Sequence, residues 1–358
     1  MKHHLCINIG ILLAAISLNA CNNKEEEVLI WNDPPSDTIP TYTNPVFVPD
    51  LADPTVVRGK DGWFYAYGTE NTWFEGIHRV TPIVKSPDLV NWEYVGDAFE
   101  VKPSWKSGGI WAPDVTFYSE KYYMFYSLSL WGDSNPGIGL ATASTPMGPF
   151  EDRGKFLDSQ SSGVDNSIDP FFYFEGEGRN RKYYLFWGSF RGIYGIELNN
   201  TLTAFIGEKF RIGGDQFEAT TIYKKNDKYY FLGSGGFCCD GPNSTYKVVM
   251  ARADNIKGPY LDKDGTDIAT QGVHGTLLLK GDGLKFVGPG HNAEIIVDDN
   301  GDEWLLYHAV ELENPYLPGG ATRRPLMLDK IHWDEDGWPY IEDDVPGTSS
   351  QAGPYFKR

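Results

Sequence analysis

The sequence is poor in cysteine, poor in positive charge and almost without helical patterning. Four cysteines in 358 residues, two of them within the first 21 positions, make no disulfide framework and show no zinc-ligand spacing. Lysine and arginine number 31 against 49 aspartates and glutamates, for a formal net charge of −18. No basic cluster is available to track phosphates, so nucleic acid is not expected as a partner. There is no Gly-rich phosphate loop, no serine nucleophile elbow and no metalloprotease helix motif. The mostly apolar run at residues 5–18 is too short to span a membrane. No long stretch carries the 3.6-residue period of an amphipathic helix.

Three features stand out against these absences. The first is the N-terminus. Lys2, His3 and His4 precede the apolar run, which ends in Leu18-Asn19-Ala20-Cys21. This reads as a secretory signal over residues 1–20 with a lipobox, Cys21 being the lipidated first mature residue; the alternative is an ordinary signal with an incidental cysteine. The polar run from Cys21 to Glu27 cannot bury apolar surface, so residues 21–42 are expected to be a lipidated cysteine and a solvated tether. The expected location is a bacterial cell envelope, periplasmic or surface-exposed, with the lipid as the only membrane contact and the protein a monomer. The second feature is the adjacent pair Cys238-Cys239. Two small packing residues and a vicinal disulfide are both compatible with it.

The third feature is a repeat. Five times an acidic residue or histidine opens an apolar run, a polar turn follows, and an aromatic-rich strand ends in small residues. The copies open at Asp53, Asp114, Asp169, Glu218 and His291. The first shows the pattern: Asp53-Pro54-Thr55-Val56-Val57, a turn at Gly59-Lys60-Asp61-Gly62, then Trp63-Phe64-Tyr65-Ala66-Tyr67-Gly68. Each copy reads as a β-hairpin, and further strand-like runs after most copies bring each unit to about four strands. That is the blade of a propeller. The chain is therefore expected to be all-β, a five-bladed β-propeller over residues 43–345, with a tail at 346–358.

The innermost strand of each blade lines the axis of a propeller. If each repeat opens with that strand, the five ionisable residues gather at one end of the tunnel. Crowded carboxylates are costly unless they share protons or bind a cation or a substrate. Carboxylates beside aromatics suit glycoside hydrolysis, in which one acid protonates the leaving oxygen and a second carboxylate activates water or attacks the sugar. Trp73, Trp105 and Trp131, beside polar or small residues, are candidates to stack on sugar faces.

Leu51-Ala52-Asp53-Pro54, Trp111-Ala112-Pro113-Asp114, Ser167-Ile168-Asp169-Pro170, Phe217-Glu218-Ala219 and Gly288-Pro289-Gly290-His291-Asn292 together resemble glycoside hydrolase family 43. Cys238-Cys239-Asp240-Gly241, Ser244-Thr245-Tyr246 and the run from Gly258 to Gly265 are similar to its arabinanase and α-L-arabinofuranosidase branch. The resemblance implies an inverting enzyme acting on plant cell-wall arabinan, with Asp53 as general base, Glu218 as general acid and Asp169 orienting that acid. It implies a substrate-side motif at Trp111 and Asp114, arabinose contacts at Asn166 and Ser189, and a cation, usually calcium, near His291. Arg191 stands where arabinanases tend to carry tryptophan, Thr220 where proline is common, and the insertion at residues 71–78, with Trp73, is long; Trp73 and Arg191 are expected at the subsite walls. Endo-1,5-α-arabinanase action is the leading expectation. An exo-α-L-arabinofuranosidase or β-xylosidase on the same scaffold is the alternative, and a non-catalytic glycan-binding propeller is the reading from another class. The Asn-Asp-Pro-Asn nucleophile motif of retaining fructan hydrolases is absent, because Asp53 sits in Ala-Asp-Pro-Thr.

Overall fold

The computed structural model describes residues 39–357. The signal segment, Cys21 and most of the expected tether lie outside the described residues. The described chain is a five-bladed β-propeller, each blade an antiparallel sheet whose strands follow one another in sequence. The first blade is Thr55–Arg58, Phe64–Tyr67, Pro82–Ser86 and Glu93–Asp97; the second is Gly109–Tyr118, Lys121–Ser129, Gly137–Ala143 and Glu151–Asp158. The third is Phe171–Glu175, Lys182–Trp187, Ile193–Leu198 and Phe205–Gly213; the fourth is Glu218–Lys225, Lys228–Gly235, Lys247–Ala253 and Thr276–Leu279. In the fifth, Glu303–Glu311 pairs on one side with Leu326–Trp333, which continues to Pro339–Tyr340. On its other side it pairs with a broken inner strand, Phe286–Gly290 and then Ile296–Val297, and His291 lies in the break.

Alternation of side chains explains the ring. Residues i and i+2 of a strand share a face, and the second strand of each blade is apolar on both faces. In Lys182–Trp187, Tyr184 and Phe186 pack toward the fourth blade while Tyr183, Leu185 and Trp187 pack toward the second. In Lys228–Gly235, Tyr229 and Phe231 face the third blade and Tyr230 and Leu232 the fifth. Five hydrophobic clusters result, one between each pair of neighbouring blades. Their aromatic content matches the sequence, since large rings fill the wedge between two twisted sheets.

The ring closes through both ends of the described chain. Thr41–Tyr42 pairs with Gln351–Ala352, and Asn44 bonds to Leu328 and Asp329 of the fifth blade. Phe356 packs on Phe64 of the first blade, with ring centroids 4.5 Å apart. Residues 346–357 are thus part of the closure rather than a free tail, and Tyr42, set in the tether by its sequence position, is buried in the core. The reason is that Tyr42 and Phe356 fill the cluster between the fifth and first blades.

Candidate active site

One backbone device recurs at the top of every blade. Asp53, Ala112, Asp169, Ala219 and His291 all have left-handed backbone conformations, with φ of 54°, 44°, 57°, 55° and 45°. For non-glycine residues this costs on the order of 1–3 kcal/mol each and persists only where surrounding contacts enforce it. Here the enforcing contact is a hydrogen bond from the strained residue's own amide. The N–H of Asp53 donates to His308 Nδ1 at 3.0 Å, that of Ala112 to Thr69 Oγ1 at 2.9 Å, that of Asp169 to Ser127 Oγ at 2.9 Å and that of His291 to Ser234 Oγ at 2.8 Å. Three acceptors, Thr69, Ser127 and Ser234, are small polar residues near the end of the second strand of the preceding blade, and the fourth, His308, lies within the corresponding strand Glu303–Glu311. The Ala219 amide donates to the Asp169 carboxylate. The device turns acidic side chains into the tunnel mouth and links each blade to the next.

Asp53 is the most tightly held. Arg324 Nη1 donates to its Oδ1 at 2.8 Å and Thr69 Oγ1 to its Oδ2 at 2.6 Å, and His291 Nδ1 lies 3.3 Å from Oδ1. Burial opposes ionisation, but Arg324 and then His291 outweigh it and hold the carboxyl well below its ordinary range. Asp53 is therefore a carboxylate at working pH. Glu218 is the opposite case. Ser189 Oγ lies 2.6 Å from its Oε2 and Tyr246 Oη 2.7 Å from its Oε1. Burial raises its pKa against those bonds, and Asp53 adds to the rise. Asp169 is also raised, by burial first and then by Glu218 and Asp53. Glu218 and Asp169 repel each other's charge, so the pair retains a proton above the ordinary carboxylate range. Such an opposed couple, one carboxyl held ionised and another kept protonated, is what acid–base cleavage needs.

The groove around these residues has two lobes. One of about 530 Å³ is lined by Asp53, Asp169, His291 and Arg324, together with Asn71 and Tyr316. The other, of about 750 Å³, is lined by Asn166, Ser189, Phe190, Arg191 and Phe237. Both sizes suit a small-molecule or oligosaccharide site. Glu218, Trp111, Trp131, Ile168 and Cys238 line both lobes and mark the seam between them. Trp131 is 76% exposed there, an apolar face open to a ligand.

Most of the residues expected from sequence meet in this groove: Asp53, Glu218, Asp169, Trp111, Asn166, Ser189, Arg191 and His291. Two do not. Trp73 is 3% exposed and buried against Phe47 and Tyr94, with Arg79 over its ring. The polar neighbours that suggested a groove position belong to a short hairpin, Asn71–Thr72 paired with His78–Arg79, that folds over it. Asp114 lies on the axis below the groove. The bulge between Trp111 and Asp114 separates the two, so the tryptophan reaches the groove while Asp114 accepts from the Phe172 amide at 2.6 Å and Thr55 Oγ1 at 3.2 Å. Trp105 stays on the second blade, donating to Tyr126 Oη at 2.8 Å.

Sequence reasoning passed over Arg324, Tyr246, His308 and Thr69. Arg323-Arg324 is the signal that was available: two arginines just before a strongly apolar strand are both buried, and a buried guanidinium requires a carboxylate. Arg324 supplies the positive charge that the crowded carboxylates demand. Among the described residues, no three His, Cys, Asp or Glu side chains converge as a ready-made metal set. Below the groove, a cavity of about 20 Å³, room for about one water or ion, is lined by Asp114, Asp169, His291 and Glu294. Burial raises Asp114 to about 7. Oxygen donors of this kind suit calcium, although water would have to complete its shell.

Comparison with known proteins agrees with this geometry. The chain is 34% identical over 303 residues to the extracellular endo-α-(1→5)-L-arabinanase 1 of Bacillus subtilis, covering 81% of this chain and 87% of that one. It is 32% identical over 324 residues to the extracellular exo-α-(1→5)-L-arabinofuranosidase of Cellvibrio japonicus, covering 82% and 87%. Its fold matches a Cellvibrio cellulosa α-L-arabinanase solved with arabinohexaose at TM-score 0.70 and 31% identity, covering 82% of this chain and 96% of that one. The model of glycosyl hydrolases family 43 matches residues 42–339, and the chain belongs to that family.

Proposed function

We propose that this protein is an exported, inverting hydrolase of α-1,5-linked L-arabinan that cuts within the polymer. The observation that carries the reading is the placement of Asp53, held by Arg324 and Thr69, and Glu218, held by Ser189 and Tyr246, in a groove that continues on both sides of Glu218, with surroundings that push their pKa values in opposite directions. Asp53 takes a proton from a water molecule as the water oxygen bonds to the anomeric carbon. Glu218 gives its proton to the leaving oxygen as the glycosidic bond breaks. Asp169 keeps that proton on the pair until it is needed, and exchange with solvent resets both groups. The arabinan relatives with endo and exo action support the substrate class.

Linear arabinan, arabino-oligosaccharides and xylo-oligosaccharides, with products sized over time, test the reading. Internal cleavage gives a spread of oligosaccharides early; arabinose alone from the first minutes would establish exo action instead. Proton NMR of the first-formed sugar is expected to show inversion. Glu218→Gln should lose about 10²–10⁴-fold in rate. A substrate with a good leaving group should rescue it more than it rescues Asp53→Asn.

Two further parts of the reading lie beyond the groove. The anchor is a lipid on Cys21, supported by Leu18-Asn19-Ala20-Cys21 and by the extracellular relatives. Fatty-acid labelling that survives Cys21→Ala would refute it. Calcium in the axial cavity beside His291 would be held by Asp114 and water, and would supply charge that lets the raised Asp114 carboxyl ionise. Exhaustive chelation is expected to lower the melting temperature; no change, with no metal found by elemental analysis, would remove calcium.

A further inference from the structure

Cys238 and Cys239 are joined to each other as a disulfide. A disulfide stabilises a fold chiefly by closing a loop in the unfolded chain, with more effect for longer loops. These two residues are neighbours in sequence, so their bond encloses no loop and ties no distant segments together. Its consequence is local. It turns two thiols into a compact ring that donates no S–H hydrogen bond and presents polarizable sulfur.

That ring sits in the groove. Cys238 lines both lobes at the seam that holds Glu218, Trp111 and Trp131, and Cys239 lines the Asp53 lobe. Both cysteines are half-buried, with surface left open. The loop that carries them is pinned on each side. Ser244 Oγ donates to the Cys238 carbonyl at 3.1 Å, and the Gly241 amide donates to Thr322 Oγ1 of the fifth blade at 3.0 Å. The Tyr246 amide donates to the Phe237 carbonyl at 3.2 Å, and the Tyr246 hydroxyl holds Glu218. The ring is therefore presented rigidly, a few residues from the side chain that positions the acid. A sugar has a polar rim and an apolar C–H face, and the exposed Trp131 is one surface at this seam suited to that face.

We propose that the Cys238–Cys239 ring is a second apolar platform of the substrate groove, packing on the C–H face of an arabinofuranose bound across the seam at Glu218. This rests on the arabinan reading above. The platform contributes to binding and leaves the chemical step and the global fold alone.

The test is calorimetric titration of arabinohexaose into the inactive Glu218→Gln protein, with and without Cys238→Ala/Cys239→Ala. The dissociation constant is expected to rise roughly five- to tenfold when the ring is lost, the scale set by a small patch of apolar contact. In the otherwise wild-type enzyme the same pair of substitutions should raise KM by a similar factor, with kcat and melting temperature nearly unchanged. Unchanged affinity overturns the proposal, and so does a fall in kcat at constant KM. If the double variant fails to fold, Glu218→Gln protein reduced with a phosphine, with both free thiols confirmed by alkylation and mass, takes its place; unchanged affinity there refutes the proposal equally. Failure of the arabinan reading looks different: the protein with its disulfide intact then neither binds arabinohexaose nor, in wild-type form, cleaves it.

Discussion

Replacing Arg324 with methionine keeps the length of the side chain and deletes its charge. The Arg324 Nη1 to Asp53 Oδ1 contact is 2.8 Å, with both side chains only 11% exposed. Arg324 is the largest of the influences that lower the Asp53 pKa. An opposite charge at this range moves a carboxyl by about 1–3 units, and each unit is about 1.36 kcal/mol. His291 and Thr69 remain as partners, so the carboxyl is expected to rise toward its ordinary range but not to behave as an unpaired buried acid. Asp53 acts as a base only when ionised, so the acidic limb of the kcat/KM profile should move to higher pH.

Stability follows with a definite sign. A carboxyl depressed in the folded state adds stability above its unfolded pKa and loses it as pH falls through the folded value. Without Arg324 that contribution shrinks, so the variant should melt lower at neutral pH, and the gap to wild type should narrow in acid. Breaking a buried pair from one side typically costs about 3–5 kcal/mol. Arg324→Lys, which keeps a charge but not the planar fork, should fall between the two. The assay is kcat/KM for arabino-oligosaccharides across pH, alongside thermal melts. An acidic limb that stays in place in Arg324→Met, in a protein that still folds, would refute the assignment of Asp53 as the base held ionised by Arg324.

Asp169→Asn removes a like charge beside Glu218, so the alkaline limb, where the acid loses its proton, should move to lower pH as the rate falls; a limb that moves upward would contradict the shared-proton account. Trp131→Ala should raise KM for long oligosaccharides with little change in melting temperature, because the ring is largely exposed, whereas Trp73→Ala should cost about 3–5 kcal/mol of stability and leave KM near wild type. The opposite pattern, measured by kinetics and denaturant melts, would restore Trp73 to the groove.

The sequence carried the fold because the device that builds the site is also the device that repeats. Asp53, Asp169 and His291 stand at equivalent places in their blades and Glu218 one residue before that place in its own, and hairpin patterning alone brings them to one tunnel mouth. Their partners had no such signature. Tyr246 and Arg324 reach Glu218 and Asp53 from strands or loops 28 and 271 residues away. Nothing in local spacing records a pairing of that kind. Asp114 was misplaced because a bulge, invisible in composition, separates it from Trp111. Trp73 was misplaced because Asn71 and Gly76 mark a turn equally well whether the aromatic between them points outward or folds inward. The cysteine pair stayed open in the sequence for a related reason: adjacency permits a bond but does not require one.

The closure of the ring sets when this protein can finish folding during its synthesis. The cluster between the first and fifth blades needs Tyr42 and Phe64 from the beginning of the described chain and Phe356 from its end. A ribosome that has made four blades has produced sheets whose terminal faces are still uncovered, and the pairing of Thr41–Tyr42 has no partner until Gln351–Ala352 emerges. Contacts across so great a separation form slowly and only after the loop between them has closed. The ring therefore stays incomplete until residues 351–356 have been made. A polypeptide that cannot close early is one that can still be threaded unfolded through a translocation channel, with Gln351–Ala352 and Phe356 acting as the latch once they are available.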